Sequence, residues 1–268
     1  MLQTGKKVDI RKWKVDSFES KEDVVALEEP LQILVQNKAI SITMRTPGDD
    51  KALALGFLFT EGILKSFSQV EDIIQTDENT VNVLLEESVL QQLPDLQKNF
   101  YTTSSCGVCG KSSIDKIYQI SSFNIKSNNL KVEAKIFTHF QDRLLNVQTA
   151  FQETGGIHAA VLFDEQGNYF YHSEDVGRHN ALDKLIGHVM IAGKLPLTKY
   201  ILLLSGRSSF ELIQKAAMAG ISVVCAVGAP SSLAVELADN IGITLLGFLK
   251  KTGYNVYSHP ERIIIDVS

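Results

Sequence analysis

Between residues 157 and 248, short apolar runs alternate with longer amphipathic stretches, and this alternation restricts the fold more than any other feature of the chain. The runs at 157–163, 200–204, 223–227 and 243–248 have the length and branched-chain content of strands. A further run at 169–172 folds back on the first around Gln166-Gly167-Asn168. Beginning near Arg178, an apolar stripe of Ala181, Leu182, Leu185, Ile186, Val189 and Met190 follows helical spacing. The stretches 209–219 and 233–241 read as two more helices. Repeated β-loop-α units predict an α/β fold with a largely parallel sheet flanked by helices. In such sheets ligands bind where strands end and helices begin.

The N-terminal part reads as an α+β unit. Residues 1–20 are polar and irregular, a tail or an edge strand. From 31 to 45 the chain alternates apolar and polar residues around Asn37-Lys38, a hairpin signal. Thr46-Pro47-Gly48-Asp49-Asp50 opens a helix with aspartate as its cap, and Glu61-Gly62 closes it. Two β-type runs follow at 72–76 and 80–86. A Ser-, Thr- and Gly-rich loop comes next, then a helix at 114–120 capped by Ser112 or Ser113, and another at 133–147. The chain ends in β-type segments at 254–257 and 263–267. Three parts result: an N-terminal α+β subdomain at 1–105, a loop with connecting helices at 106–150, and an α/β domain at 151–268. A chain of 268 residues is long enough to bury a substantial core.

Composition removes several classes of function. A formal net charge of −5 argues against a broad basic face for nucleic acid. No apolar run approaches the roughly 20 residues that span a bilayer, and residues 1–20 lack the apolar core of a signal peptide. The expectation is a soluble cytoplasmic protein that binds neither membrane nor nucleic acid. Its three cysteines would be reduced there.

Two of those cysteines form Cys106-Gly107-Val108-Cys109. Such a pair is half a metal site, a redox couple or a sulfur carrier. A structural zinc needs four ligands, yet the third cysteine, Cys225, sits in a strand-like apolar run and no histidine has a partner at metal-ligand spacing. A fixed redox couple sits between a strand and a helix, whereas this pair lies in a glycine-flanked loop better suited to reaching. Lys111 and the N-terminal end of the following helix would favour the thiolate.

Three further constellations lie at strand ends. His172-Ser173-Glu174-Asp175-Val176-Gly177-Arg178-His179-Asn180 ends a strand and opens a helix, a setting suited to phosphate. Equally, Asp175 could cap that helix and pair with Arg178. Ser205-Gly206-Arg207-Ser208-Ser209 and Gly228-Ala229-Pro230-Ser231-Ser232 occupy the same topological place. Small residues there let a ligand approach the backbone, although ordinary capping accounts for each loop alone. Gly247-Phe248-Leu249-Lys250-Lys251-Thr252-Gly253 leaves the last strand of the α/β region with a ring to stack on a base and cations for phosphate. Spacing alone favours a solvated turn. His158 stands where zinc deaminases carry His-x-Glu, but the acid is replaced by Ala160, so the proton shuttle of deamination is missing and a packed histidine suffices.

Taken together, these motifs resemble one family. They are Arg45-Thr46-Pro47-Gly48-Asp49-Asp50, Leu55-Gly56-Phe57-Leu58-Phe59-Thr60-Glu61-Gly62, Ser105-Cys106-Gly107-Val108-Cys109-Gly110, Thr154-Gly155-Gly156-Ile157-His158-Ala159, Glu174 to Lys184, and Leu204-Ser205-Gly206-Arg207. The chain is similar over nearly its whole length to the FdhD/NarQ family of formate dehydrogenase accessory sulfur carriers. The resemblance implies a C-terminal three-layer domain like the cytidine deaminase fold, and a homodimer. It implies sulfur accepted from a cysteine desulfurase as a persulfide on Cys106, with Cys109 as its partner. That sulfur would pass to the molybdenum (or tungsten) bis-guanylyl-pterin cofactor before insertion into the formate dehydrogenase catalytic subunit. The cofactor and its guanine nucleotide moiety would then lie against Phe248, Leu249, Lys250, Lys251, Thr252 and Gly253, with Ser205, Gly206, Arg207, Arg178 and His179 at the strand ends. Lysines stand at 250 and 251 where the family often has arginine, which keeps the charge but loses the bidentate fork. No resident metal is implied. The rival readings are a zinc-binding hydrolase and a non-catalytic formate dehydrogenase chaperone.

Overall fold

The computed structural model describes residues 4–90 and 123–265. The thiol loop, the helix expected at 114–120 and the last residues of the final β-type segment lie outside them. The chain opens with β1 (Gly5–Lys14) and β2 (Ser17–Ala26), an antiparallel hairpin turning at Val15-Asp16, both at positive φ. A tail or single edge strand is therefore corrected to a ten-residue ladder. Both of its faces meet solvent over most of their length, so no apolar alternation marks it in the sequence. Cross-strand pairs hold it instead: Lys7 with Glu22 at 2.7 Å, Lys14 with Glu19 at 2.6 Å, and Trp13 edge-on to Phe18 at 4.9 Å.

β3 (Glu29–Val35) and β4 (Lys38–Arg45) form the expected hairpin. Gln36 and Asn37 both take positive φ, and Asn37 is held by reciprocal hydrogen bonds to the Asn82 side chain at 2.8 and 3.0 Å. Next come α1 (Asp50–Thr60), β5 (Val70–Asp77), β6 (Thr80–Leu85) and the short α2 (Glu87–Leu90). The four strands pair in the order β4-β3-β6-β5.

Past the thiol region the chain enters β7 (Val132–Glu133), a 3-10 turn at Ala134–His139, α3 (Phe140–Val147) and α4 (Thr149–Thr154). The single helix expected at 133–147 is thus broken. Val132 and Glu133 pair in parallel with the last described strand, which takes the first turn out of helical geometry.

The remainder alternates as the sequence indicates: β8 (His158–Phe163), β9 (Tyr169–Asp175), α5 (Arg178–Ile191), β10 (Ile201–Leu204), α6 (Phe210–Met218), β11 (Val223–Ala226), α7 (Ser232–Ile241), β12 (Thr244–Lys250), β13 (Gly253–Ser258) and β14 (Ile263–Ile264). The six-stranded sheet runs β13-β12-β11-β10-β8-β9. Only β10–β11 and β11–β12 are parallel; β8–β9, β8–β10 and β12–β13 are antiparallel. The largely parallel expectation is corrected to a mixed sheet. Tight turns join β8 to β9 and β12 to β13, and such turns make only antiparallel pairs.

The sheet is covered on both faces. On one, α5, α6 and α7 pack against Leu162, Leu202, Val224 and Leu245 in a core that continues through α1 into the four-stranded sheet. On the other, Phe137, Phe140 and Leu144 pack on Val161, Phe163, Leu203, Cys225 and Leu246. Phe140 stacks on Phe163 at 4.2 Å. Three layers result. Cys225 is wholly buried and burial pushes its thiol pKa up, so it is a packing residue rather than a nucleophile.

Candidate functional site

The carboxyl ends of β10, β11 and β12 lie side by side, and the loops leaving them are stitched together. Val227 N–H donates to Leu204 O at 3.0 Å and Gly228 N–H to Gly206 O at 3.0 Å. Ser231 N–H donates to Ser208 O at 3.0 Å, and Phe248 N–H to Gly228 O at 3.1 Å. Glycine at 228 suits this approach, because a Cβ there would stand 3.0 Å from both Arg207 N and Gly206 O and the two loops would have to part by a few tenths of an ångström. β8 begins on the same edge, with His158 opposite Asp175 at the end of β9. The three strand-end constellations therefore share one edge, where the N-termini of α5, α6 and α7 converge. Each signal was weak alone; the topology brings them together.

Half of the Glu174–Lys184 segment has a structural task. Asp175 is wholly buried, and burial works against its charge. Its carboxylate accepts from Lys184 Nζ at 2.7 Å, Gly177 N at 2.8 Å, Thr46 N at 3.1 Å and Asn180 Nδ2 at 3.2 Å. Lys184 also donates to Thr46 O at 2.8 Å, and Val176 N to Thr46 Oγ1 at 3.0 Å. The pairing expected between Asp175 and Arg178 is absent, and the cap position belongs to Gly177. Asp175 instead clamps the Arg45–Asp50 loop, which is itself fixed by a two-pronged Arg45–Asp50 pair at 2.9 and 2.9 Å. Glu174 accepts from Ala150 N and Phe151 N, both at 3.1 Å, at the start of α4.

That leaves Arg178 and His179 toward the loops. Arg178 is half-buried, and its Nε meets no hydrogen-bond partner. His179 is buried beside Ser209 Oγ at 3.2 Å and Glu211 Oε2 at 3.5 Å. Ser208 Oγ is likewise buried and unpartnered, while Arg207 is exposed. Ser205 Oγ accepts from Ala159 N at 2.9 Å and approaches His158 Nδ1 at 3.4 Å. Gly206 makes room for that ring, since a Cβ would lie 3.2 Å from His158 Cε1 and Nδ1.

Among the cofactor residues expected after β12, Phe248 is 44% exposed at φ 54, held open by its bond to Gly228. Lys250 and Thr252 are exposed, Gly253 turns the chain, and Lys251 pairs with Asp142 at 2.7 Å. Leu249 differs: its side chain is wholly buried in the core, which leaves only its backbone to the surface. Cys106 and Cys109 lie outside the described residues. No helix among the described residues is long and apolar enough to cross a membrane.

Beside the edge, under α3, lies a cavity of about 470 Å³ lined by residues that include Gln148, Phe151, Gly156, His158, Ser205 and Val227. Gln148 carried no signal in the sequence, because a glutamine between two short helices reads as solvent-facing. His158 read as a packed histidine. Burial, reinforced by the Arg178 cation, holds its pKa below the usual histidine range. An unfolded chain therefore takes up a proton below pH of about 6.5 that the folded His158 refuses, and stability falls with pH through that window. Between pH 7 and 5 the parent protein is expected to lose more stability than His158→Gln. Urea denaturation at both pH values checks this, and equal slopes would refute it.

Residues 26–264 match the model of the FdhD/NarQ family. The chain is 47% identical to the sulfur carrier protein FdhD of Streptomyces avermitilis, over 91% of this chain and 90% of that protein. It is 40% identical to the sulfur carrier protein FdhD of Saccharolobus solfataricus, over 96% and 98%. A solved structure from Desulfotalea psychrophila, provisionally described as a formate dehydrogenase accessory protein, superposes with a TM-score of 0.75 at 21% identity, covering 98% of this chain and all of that one.

Proposed function

Because the chain belongs to the FdhD/NarQ family, we propose that it is a sulfur carrier that serves formate dehydrogenase. In this reading the Cys106 thiolate attacks the outer sulfur of a desulfurase persulfide. A new S–S bond forms on Cys106 while the old one breaks, and the desulfurase leaves as a thiolate. The Cys109 thiolate then attacks the inner sulfur, a Cys106–Cys109 disulfide forms, and the outer sulfur leaves as hydrosulfide for the molybdenum (or tungsten) bis-guanylyl-pterin cofactor, which is substrate here, before that cofactor enters the dehydrogenase. Cys109 assists the transfer.

The observation that carries this reading is the convergence of three helix N-termini on the β10–β11–β12 edge. Helix N-termini and the unpaired Arg178 Nε favour anionic phosphates there. Exposed Phe248 offers a face for a base and Lys250 a cation beside it. Lys251 would have to leave Asp142, or meet phosphate from that pair. Action as a homodimer in the cytoplasm belongs to the same proposal.

Incubation with a desulfurase and sulfur-labelled cysteine tests it. Label is expected on the 101–111 peptide of the parent protein and absent from Cys106→Ala. Full retention of label by Cys106→Ala would remove the assignment, and full support of dehydrogenase activity by a protein lacking both thiols would favour a chaperone.

A further inference from the structure

We infer that Arg262 is a positioning residue for sulfur delivery: it fixes residues 125–128, which follow the Cys106–Cys109 stretch in the chain, against the start of β12. The far end of that strand carries Phe248. This inference rests on the carrier reading above. Arg262 closes the 3-10 turn Pro260–Arg262 just before β14 and is only 4% exposed. Its guanidinium donates to Gly242 O at 2.8 Å, Ile125 O at 2.9 Å, Thr244 Oγ1 at 3.2 Å and Asn128 O at 3.3 Å. No carboxylate pairs with it among the described residues; neighbouring Glu261 turns to His259 Nδ1 at 2.8 Å. Burial therefore works against its charge and pulls its pKa down.

For stability alone, well-packed apolar groups often serve as well as a buried ion and its partners. What the guanidinium supplies is direction: one rigid plane holds two distant parts of the chain in a single register. The two parts also touch. Gly242, at φ 88, lies against Lys126, where a Cβ would stand 2.6 Å from Cγ and 3.1 Å from Cα. Asn128 adds a separate tie, its Nδ2 donating to Thr198 O at 2.7 Å ahead of β10. Directly after Arg262, Ile263 and Ile264 pair with Val132 and Glu133. Delivery needs such a register where loading does not. A desulfurase approaches from outside and needs only a thiol it can reach. Hydrosulfide released from Cys106 must form beside the cofactor or be lost to water.

Arg262→Lys keeps the cation and loses the fork. The full chain is loaded with labelled sulfur by a desulfurase and mixed with the molybdenum cofactor. Sulfur captured by the cofactor and sulfur released as free hydrosulfide are then both counted per mole of persulfide. Loading of Arg262→Lys is expected to match the parent, while the captured share falls about fivefold or more and free hydrosulfide rises. A residue needed only for folding would lower the amount of loaded protein and leave that partition unchanged, which would overturn the proposal. Should Arg262→Lys not fold, Asn128→Ala removes the Thr198 tie and is expected to move the partition the same way; an unchanged partition there counts equally against it. Amide hydrogen exchange over residues 123–130, measured without sulfur, is expected to quicken in either variant. Exchange at the parent rate would show that these ties do not hold the stretch, and would also overturn the proposal. A parent protein that takes up no persulfide sinks the carrier reading and the delivery role with it. A parent that loads, beside a variant that delivers equally well, sinks the positioning role alone.

Discussion

Replacing Lys215 with methionine is expected to destabilise the chain by about 3–5 kcal/mol. Lys215 is 2% exposed in α6, and its Nζ lies 2.8 Å from Asp183, 3.0 Å from Thr60 Oγ1, 3.7 Å from Glu211 and 4.0 Å from Glu61. One ammonium thus serves three carboxylates, Asp183 from α5, Glu211 from α6 and Glu61 just past the end of α1. Burial opposes its charge, but Asp183, Glu211 and Glu61 outweigh that and raise its pKa above the usual lysine range. Methionine fills similar space, so packing is nearly conserved and the loss is electrostatic. Asp183 would keep the Thr60 hydroxyl at 2.8 Å but no cation. Adding Asp183→Asn should therefore recover part of the loss, because the uncompensated charge goes with it. Urea denaturation of the single and double variants checks both statements. A single variant within about 1 kcal/mol of the parent would show that the ion cluster contributes little.

This cluster also shows what the sequence could and could not reveal. The spacing of Leu182, Leu185, Ile186 and Val189 announced α5 almost to its ends, because an apolar stripe is a local signal. Asp183 and Lys184 interrupt that stripe and read as solvent-facing, whereas both are buried against partners 32 residues away (Lys215) or in the N-terminal part (Thr46, Thr60). Pairing at such range leaves no periodic trace. Sheet direction was hidden for the same reason: β8 reads alike whether its neighbours run with it or against it. The β1–β2 hairpin escaped because neither face is buried: even Trp13, Phe18 and Val25 stay exposed, so no core-facing side marks the strands. At the site, the small-residue loops after β10 and β11 were legible as strand-to-helix joints, but ordinary capping accounts for each alone, and only the sheet order sets them side by side. Gln148 was not, because its burial comes from packing of α3 over the sheet rather than from its neighbours in sequence. For Asp175 an anion site and a local cap read alike in the sequence, and neither reading shows the buried clamp, because its four partners include one, Thr46, far upstream.

Gly187→Ala should cost about 3 kcal/mol or more, against the usual gain of about 1 kcal/mol for removing a glycine from a helix interior. A Cβ at Gly187 would stand 1.9 Å from Ala52 O, and one at Gly56 would stand 1.8 Å from Asp183 O. These are backbone atoms, so no rotamer change relieves the overlap; α1 and α5 must separate. Separation would propagate. α1 carries Ala52, Leu53, Leu55, Leu58 and Phe59 into the core shared by both sheets, and α5 carries Ala181, Leu182 and Leu185 into it from the other side. The same shift would lengthen the bonds between Thr46 and Asp175 or Lys184, and between Thr60 and Asp183. Gly56→Ala acts on the same gap, so the two substitutions together should cost less than their sum, because the helices have already moved apart. Denaturant melts of the two singles and the double measure this directly. If Gly187→Ala were as stable as the parent, the close crossing would not be the joint between the two halves of the chain.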